Sequence, residues 1–115
     1  MLQTNLTHVL SEKDHAALLK ANENVMICCG RMGPMCIPVY EAMEELEGEY
    51  KHVKFADMEF DSPDARIIRN LPECRSFQGL PFVVYYKGGK VVKATTSIQQ
   101  PKQITTILDE HFGKK

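Results

Sequence analysis

Val25-Met26-Ile27-Cys28-Cys29 is an unbroken apolar run. A segment with no polar face cannot lie against water on either side, so it reads as a strand covered on both faces. Gly33-Pro34-Met35 follows as a tight turn, and a helix is predicted from about Pro34 to Tyr50. Its apolar residues Val39, Ala42, Met43, Leu46 and Tyr50 recur at three- and four-residue intervals. Pro38 is tolerable there because it lies in the first turn, where a missing N–H costs little. A covered strand feeding an amphipathic helix requires a sheet with helices on its faces.

Cys36 stands directly behind the turn, seven residues after Cys29. A thiol in the first turn of a helix meets unpaired backbone N–H groups and the positive end of the macrodipole. Both favour the thiolate, which is the reactive form. Residues 28–36 are therefore a candidate redox site, although the common two-residue spacing between cysteines is missing. Cys29 is the expected disulfide partner of Cys36. A bridge requires Cα atoms within ~7 Å and converging Cβ vectors; the alternative is two reduced thiols packed as small hydrophobes. Cys28 reads as a core residue, since neighbouring strand residues point to opposite faces and only one of the pair can face the loop. Cys74 is a further thiol, read either as an inert loop cysteine or as a shuttle at the edge of the site.

The remaining pattern completes an α/β order. Thr7 to Leu10 is a short edge strand, and Ser11 caps a helix with Asp14 three residues on and Ala17, Leu18 and Ala21 on its apolar face. Val53 to Phe60 alternates, with a phase slip near Ala56-Asp57. Asp61-Ser62-Pro63-Asp64 opens a third helix carrying Ala65, Ile67, Ile68 and Leu71. Residues 81–86 form a strand, and Lys87-Gly88-Gly89-Lys90 turns it into a hairpin with residues 91–94. Pro101 starts a last helix with Ile104, Ile107, Leu108 and Phe112 on its face. The expected architecture is one domain over residues 1–115, with a mixed central sheet flanked by helices in three layers.

A net charge of −1 gives no electrostatic pull toward nucleic acid or an anionic membrane. No apolar stretch approaches the ~20 residues that cross a bilayer. The N-terminus lacks a basic region followed by an apolar one, and four clustered cysteines make no disulfide scaffold. The expectation is a cytoplasmic monomer with reactive or structural thiols.

The element order and three local motifs resemble the thioredoxin family over nearly the whole chain. Val25–Cys29 leading into Gly33-Pro34 is similar to the strand and Gly-Pro of the family's Trp-Cys-Gly-Pro-Cys site. Gly79-Leu80-Pro81 before an apolar strand is similar to its Gly-Ile-Pro-Thr step, whose proline is cis. Lys87-Gly88-Gly89-Lys90-Val91 is similar to its Lys-Asn-Gly-Glu-Val hairpin. The resemblance implies thiol–disulfide exchange with protein disulfide or dithiol partners, docked on Gly33, Pro34, Leu80 and Pro81. It implies a flavoprotein reductase as electron donor and no bound cofactor.

The departures are equally specific. Aligned on Gly-Pro, Met32 and Met35 fall where the family has its two cysteines. Aligned on the apolar face of the helix, Cys36 falls on the resolving cysteine and Gly33 on the attacking one. Cys28-Cys29 replaces Trp-Ala, Met26 replaces the buried aspartate, and the chain has no tryptophan. Two functions follow: an atypical oxidoreductase using Cys36 and Cys29, or a redox-inactive interaction module with Met-Gly-Pro-Met as its docking loop. Met32 and Met35 read as apolar docking surface in preference to soft metal ligands, and no metal is expected. His8, His15, His52 and His111 show no ligand spacing and read as solvent-facing. Glu41, Glu44, Glu45, Glu47 and Glu49 read as a solvated helix face.

Overall fold

The computed structural model describes residues 2–74, 79–97 and 99–113. Five strands, β1 (Thr7–Val9), β2 (Asn24–Gly30), β3 (Lys54–Glu59), β4 (Phe82–Lys87) and β5 (Lys90–Thr95), form one sheet in the order β1-β3-β2-β4-β5. β1, β3 and β2 run parallel, and β4 and β5 are antiparallel additions. The helices are α1 (Glu12–Ala21), α2 (Ile37–Leu46), α3 (Arg66–Arg69) and α4 (Pro101–Phe112).

Local chemistry sets the ends of these elements. The Ser11 side chain accepts from the Asp14 N–H and starts α1. Gln100 and Gln103 form a reciprocal capping box at α4, whose first residue is Pro101. Gly88 and Gly89 take φ of +60° and +81° in the hairpin turn, conformations that other residues adopt only with strain.

The sheet divides the core in two. Met26, Cys28, Phe55, Val83 and Tyr85 pack with Val39 and Met43 of α2 and with Ile104 and Leu108 of α4. Val25, Ile27, Cys29, Ala56, Met58, Phe82 and Val84 pack with Ile68 of α3, and Leu18 and Leu19 of α1 close that side. This is the expected three-layer α/β sandwich.

Four expectations change. The predicted second helix shortens to Ile37–Leu46, because residues 33–36 form a turn whose Gly33 carbonyl accepts from both Cys36 and Ile37 N–H groups. The third helix breaks into a 3-10 turn at Pro63–Ala65, a single α turn at Arg66–Arg69 and a second 3-10 turn at Pro72–Cys74. β3 has no phase slip: β1 and β2 flank it, both its faces are covered, and Phe55 to Met58 are all buried. His15 is buried rather than solvent-facing, with Nε2 3.0 Å from the Tyr86 hydroxyl.

Candidate functional site

β2 ends at Gly30, where the chain leaves the sheet between β3 and β4. Residues 31–36 then loop back to place Cys36 as the N-cap of α2, with its carbonyl accepting from the Val39 and Tyr40 N–H groups. The Cys36 side chain offers no capping hydrogen bond to the helix. Its sulfur instead accepts from the Arg31 N–H at 3.5 Å. Arg31 is held in turn by a two-pronged ion pair with Asp61, at 2.8 Å on each prong, and lies over the Phe60 ring.

The sulfur packs over Gly30. A Cβ built at Gly30 would stand 2.8 Å from Cys36 Sγ, 2.9 Å from the Tyr40 hydroxyl and 3.1 Å from Pro81 Cβ. Glycine is required here for closeness rather than for backbone freedom. The Leu80–Pro81 bond is cis, as the motif implies, and this step is one wall of the site. Cys36 is buried at 2% exposure, Gly33 is half-buried, and Pro34 is exposed. Met32 and Met35 bracket that turn at 41% and 44% exposure.

The other thiols are distributed by strand alternation. Cys28 shares the α2 layer with Cys36, whereas Cys29 and Cys74 lie together in the α1 layer. From sequence, Cys28 is expected as plain core and Cys29 as facing the loop; the structure gives the Cys36 side of the sheet to Cys28. All four thiols are free and buried. Burial pushes Cys28 well above the ordinary thiol range, and the nearby Cys36 and Cys29 add to this. Burial pushes Cys29 up to about 12 despite the opposing charge of Arg69, and Cys74 to about 11.

Two buried residues near the site escaped sequence reasoning. The Tyr40 hydroxyl has no hydrogen-bond partner among the described residues, and burial raises it far above the ordinary phenol range. Asp57 is 1% exposed; its carboxylate accepts from the Thr4 hydroxyl and pairs with His8 Nδ1 at 2.7 Å. The apparent slip at Ala56-Asp57 was the available signal: an acid inside an otherwise apolar strand.

Many solved structures share this fold. Thioredoxin f2 of Chlamydomonas reinhardtii superimposes with a TM-score of 0.78 at 15% identity, over 96% of this chain and 100% of that one. The chain has the thioredoxin fold. A Plasmodium falciparum thioredoxin gives 0.76 at 17% identity, over 92% and 99% of the two chains. Oxidized mitochondrial thioredoxin 3 of Saccharomyces cerevisiae gives 0.75 at 19%, over 91% and 94%. No protein-family model matches the chain, and no curated protein matches it in sequence. Within the thioredoxin fold, Cys36 and the cis Leu80–Pro81 step occupy the end of the sheet where β2 passes into α2.

Proposed function

We propose that this chain exchanges disulfides with protein partners through Cys36. The observation that carries this reading is the seat of the sulfur: at the start of α2, under the Arg31 N–H and against Gly30 and Pro81. A partner strand laid along Leu80 and Pro81 would bring its disulfide to Cys36, with Gly33 and Pro34 as the opposite lip. The second thiol comes from Cys28 or Cys29. In this reading a flavoprotein reductase is the electron donor, and the reaction needs no bound cofactor.

The test is competitive alkylation. Brief iodoacetamide treatment near neutral pH, followed by peptide mapping, should modify Cys36 first, because its sulfur lies under the Arg31 N–H at the start of α2, whereas burial raises Cys28, Cys29 and Cys74 above the ordinary thiol range. A map with Cys36 among the slowest sites overturns the exchange reading.

One observation favours a second reading. Met32 and Met35 are large apolar side chains left exposed beside the site, and methionine surfaces accept partners of varied shape. In that reading the loop docks a partner and Cys36 stays chemically silent.

A further inference from the structure

Tyr40 has no part in disulfide exchange, yet it stands beside the sulfur that carries it. Its N–H donates to the Cys36 carbonyl at 3.1 Å, so the two residues lie one turn apart at the start of α2 and share a side of the helix. Tyr40 is 2% exposed, and its hydroxyl has no hydrogen-bond partner among the described residues. Buried hydroxyls are ordinarily paired, and one left unpaired costs stability. This hydroxyl is aimed at the sulfur. Cys36 Sγ and the Tyr40 oxygen lie 2.8 Å and 2.9 Å from one point, the place a Cβ on residue 30 would take, with Pro81 Cβ 3.1 Å away. Glycine at residue 30 keeps any side chain from coming between them.

We propose that Cys36 is a site of reversible oxidation by hydroperoxides, and that the Tyr40 hydroxyl holds the sulfenate oxygen formed there by donating a hydrogen bond to it. Cys36 reacts as the nucleophile it is in the exchange reading, on which this step rests. The thiolate sulfur attacks the terminal oxygen of the hydroperoxide. The S–O bond forms, the O–O bond breaks, and the remaining oxygen leaves as hydroxide or alkoxide and takes a proton from solvent. The sulfur loses two electrons and the peroxide gains them. A small thiol reverses the change: its sulfur bonds to Cys36 Sγ and the oxygen leaves as water. A second such thiol attacks the mixed disulfide, releasing Cys36 and a small disulfide.

The surroundings suit this product. An oxygen bonded to Sγ on the Tyr40 side gives the hydroxyl the acceptor it lacks. Burial raises Tyr40 far above the ordinary phenol range, so it remains a donor at neutral pH. Cys36 is 2% exposed, which favours an oxidant close to water in size over a bulky one. The other thiols are poorly placed to displace the oxygen quickly. Cys29 and Cys74 lie in the opposite layer, and burial raises Cys28, Cys29 and Cys74 above the ordinary thiol range.

The test uses the reduced full-length protein, a pulse of hydrogen peroxide, catalase to remove the excess, and dimedone added after varied delays. Peptide mapping should find the dimedone adduct on Cys36 in wild type and none in Cys36→Ser. Tyr40→Phe keeps the ring and removes only the donor. Its sulfenate should decay about tenfold faster than that of wild type, the loss of one hydrogen bond to a charged acceptor. Its reduced Cys36 should react with iodoacetamide within about twofold of the wild-type rate. Equal lifetimes in the two proteins, or alkylation altered as much as the lifetime, overturns the role of Tyr40. A wild-type Cys36 that takes no dimedone after peroxide but still alkylates first overturns the proposal and leaves disulfide exchange standing. A Cys36 slow toward both reagents overturns both.

Discussion

The Cys36 sulfur and the Tyr40 hydroxyl converge on one point above Gly30: a methyl group placed there would lie 2.8 Å from the first and 2.9 Å from the second. Neither neighbour yields easily. Cys36 is fixed by the turn and the Arg31 N–H, and Tyr40 is buried one helical turn later at 2% exposure. Gly30→Ala is therefore expected to destabilise the protein by about 1–3 kcal/mol, the usual cost of overpacking a filled site. It should also change the alkylation rate of Cys36 by displacing the sulfur. Urea unfolding with peptide mapping reads both effects, and a variant with wild-type stability and reactivity would show that the two side chains move aside freely.

Tyr40→Phe should behave differently. The hydroxyl is buried with no hydrogen-bond partner among the described residues. Removing an unsatisfied buried group removes a desolvation cost, so stability should hold or rise by about 1 kcal/mol. A loss above about 1 kcal/mol in urea unfolding would mean that the hydroxyl has a partner.

These residues show where the sequence was informative and where it stopped. The covered run Val25–Cys29, the face of α2 and the Gly-Gly hairpin have local signals, because burial on two faces, burial on one stripe and a positive φ each demand particular residue types. That order of elements identifies the architecture. Alternation also says that Cys28 and Cys29 face opposite ways, but the choice between the faces depends on which side of the sheet α2 crosses, and that is not a local property. His15 and Asp57 look like surface residues because their partners are remote: Tyr86 lies 71 residues from His15, and His8 lies 49 from Asp57. The third helix looks continuous in sequence because Ala65, Ile67, Ile68 and Leu71 suit a helix locally, while the chain is broken into short turns around Pro63 and Pro72.

His15 gives stability a pH dependence of known sign. It is 5% exposed, bonds the Tyr86 hydroxyl and meets that ring edge-on at 5.3 Å. Burial pushes its pKa below the ordinary value, and the opposing charge of Glu12 is the smaller effect. The unfolded chain, with histidine near ~6.5, then binds more protons than the folded one as pH falls. The contribution of His15 is complete above about pH 6.5 and is lost as pH drops below it. Asp57, raised by burial, acts with the opposite sign. The test is therefore the comparison with His15→Gln: between about pH 7.5 and about pH 5, wild type should lose more stability in urea unfolding than the variant. Equal losses would remove His15 as the cause.

The exposed pair Met32 and Met35 separates docking from chemistry. Both flank the Gly33-Pro34 turn, and neither contributes to the buried layers. Replacing both with Gln removes apolar surface while keeping side-chain length, so the stability measured by urea unfolding should change by less than about 0.5 kcal/mol. A protein partner that covers these side chains gains on the order of 1 kcal/mol from each, which is about fivefold in affinity or rate. A tripeptide disulfide such as glutathione disulfide is too small to cover both and should react with Cys36 at nearly the wild-type rate. The doubly substituted protein should thus reduce insulin disulfides at least about fivefold more slowly, with little change toward glutathione disulfide. Equal slowing toward both probes would place the methionines in the chemistry of Cys36, and no slowing toward either would move protein docking to another surface.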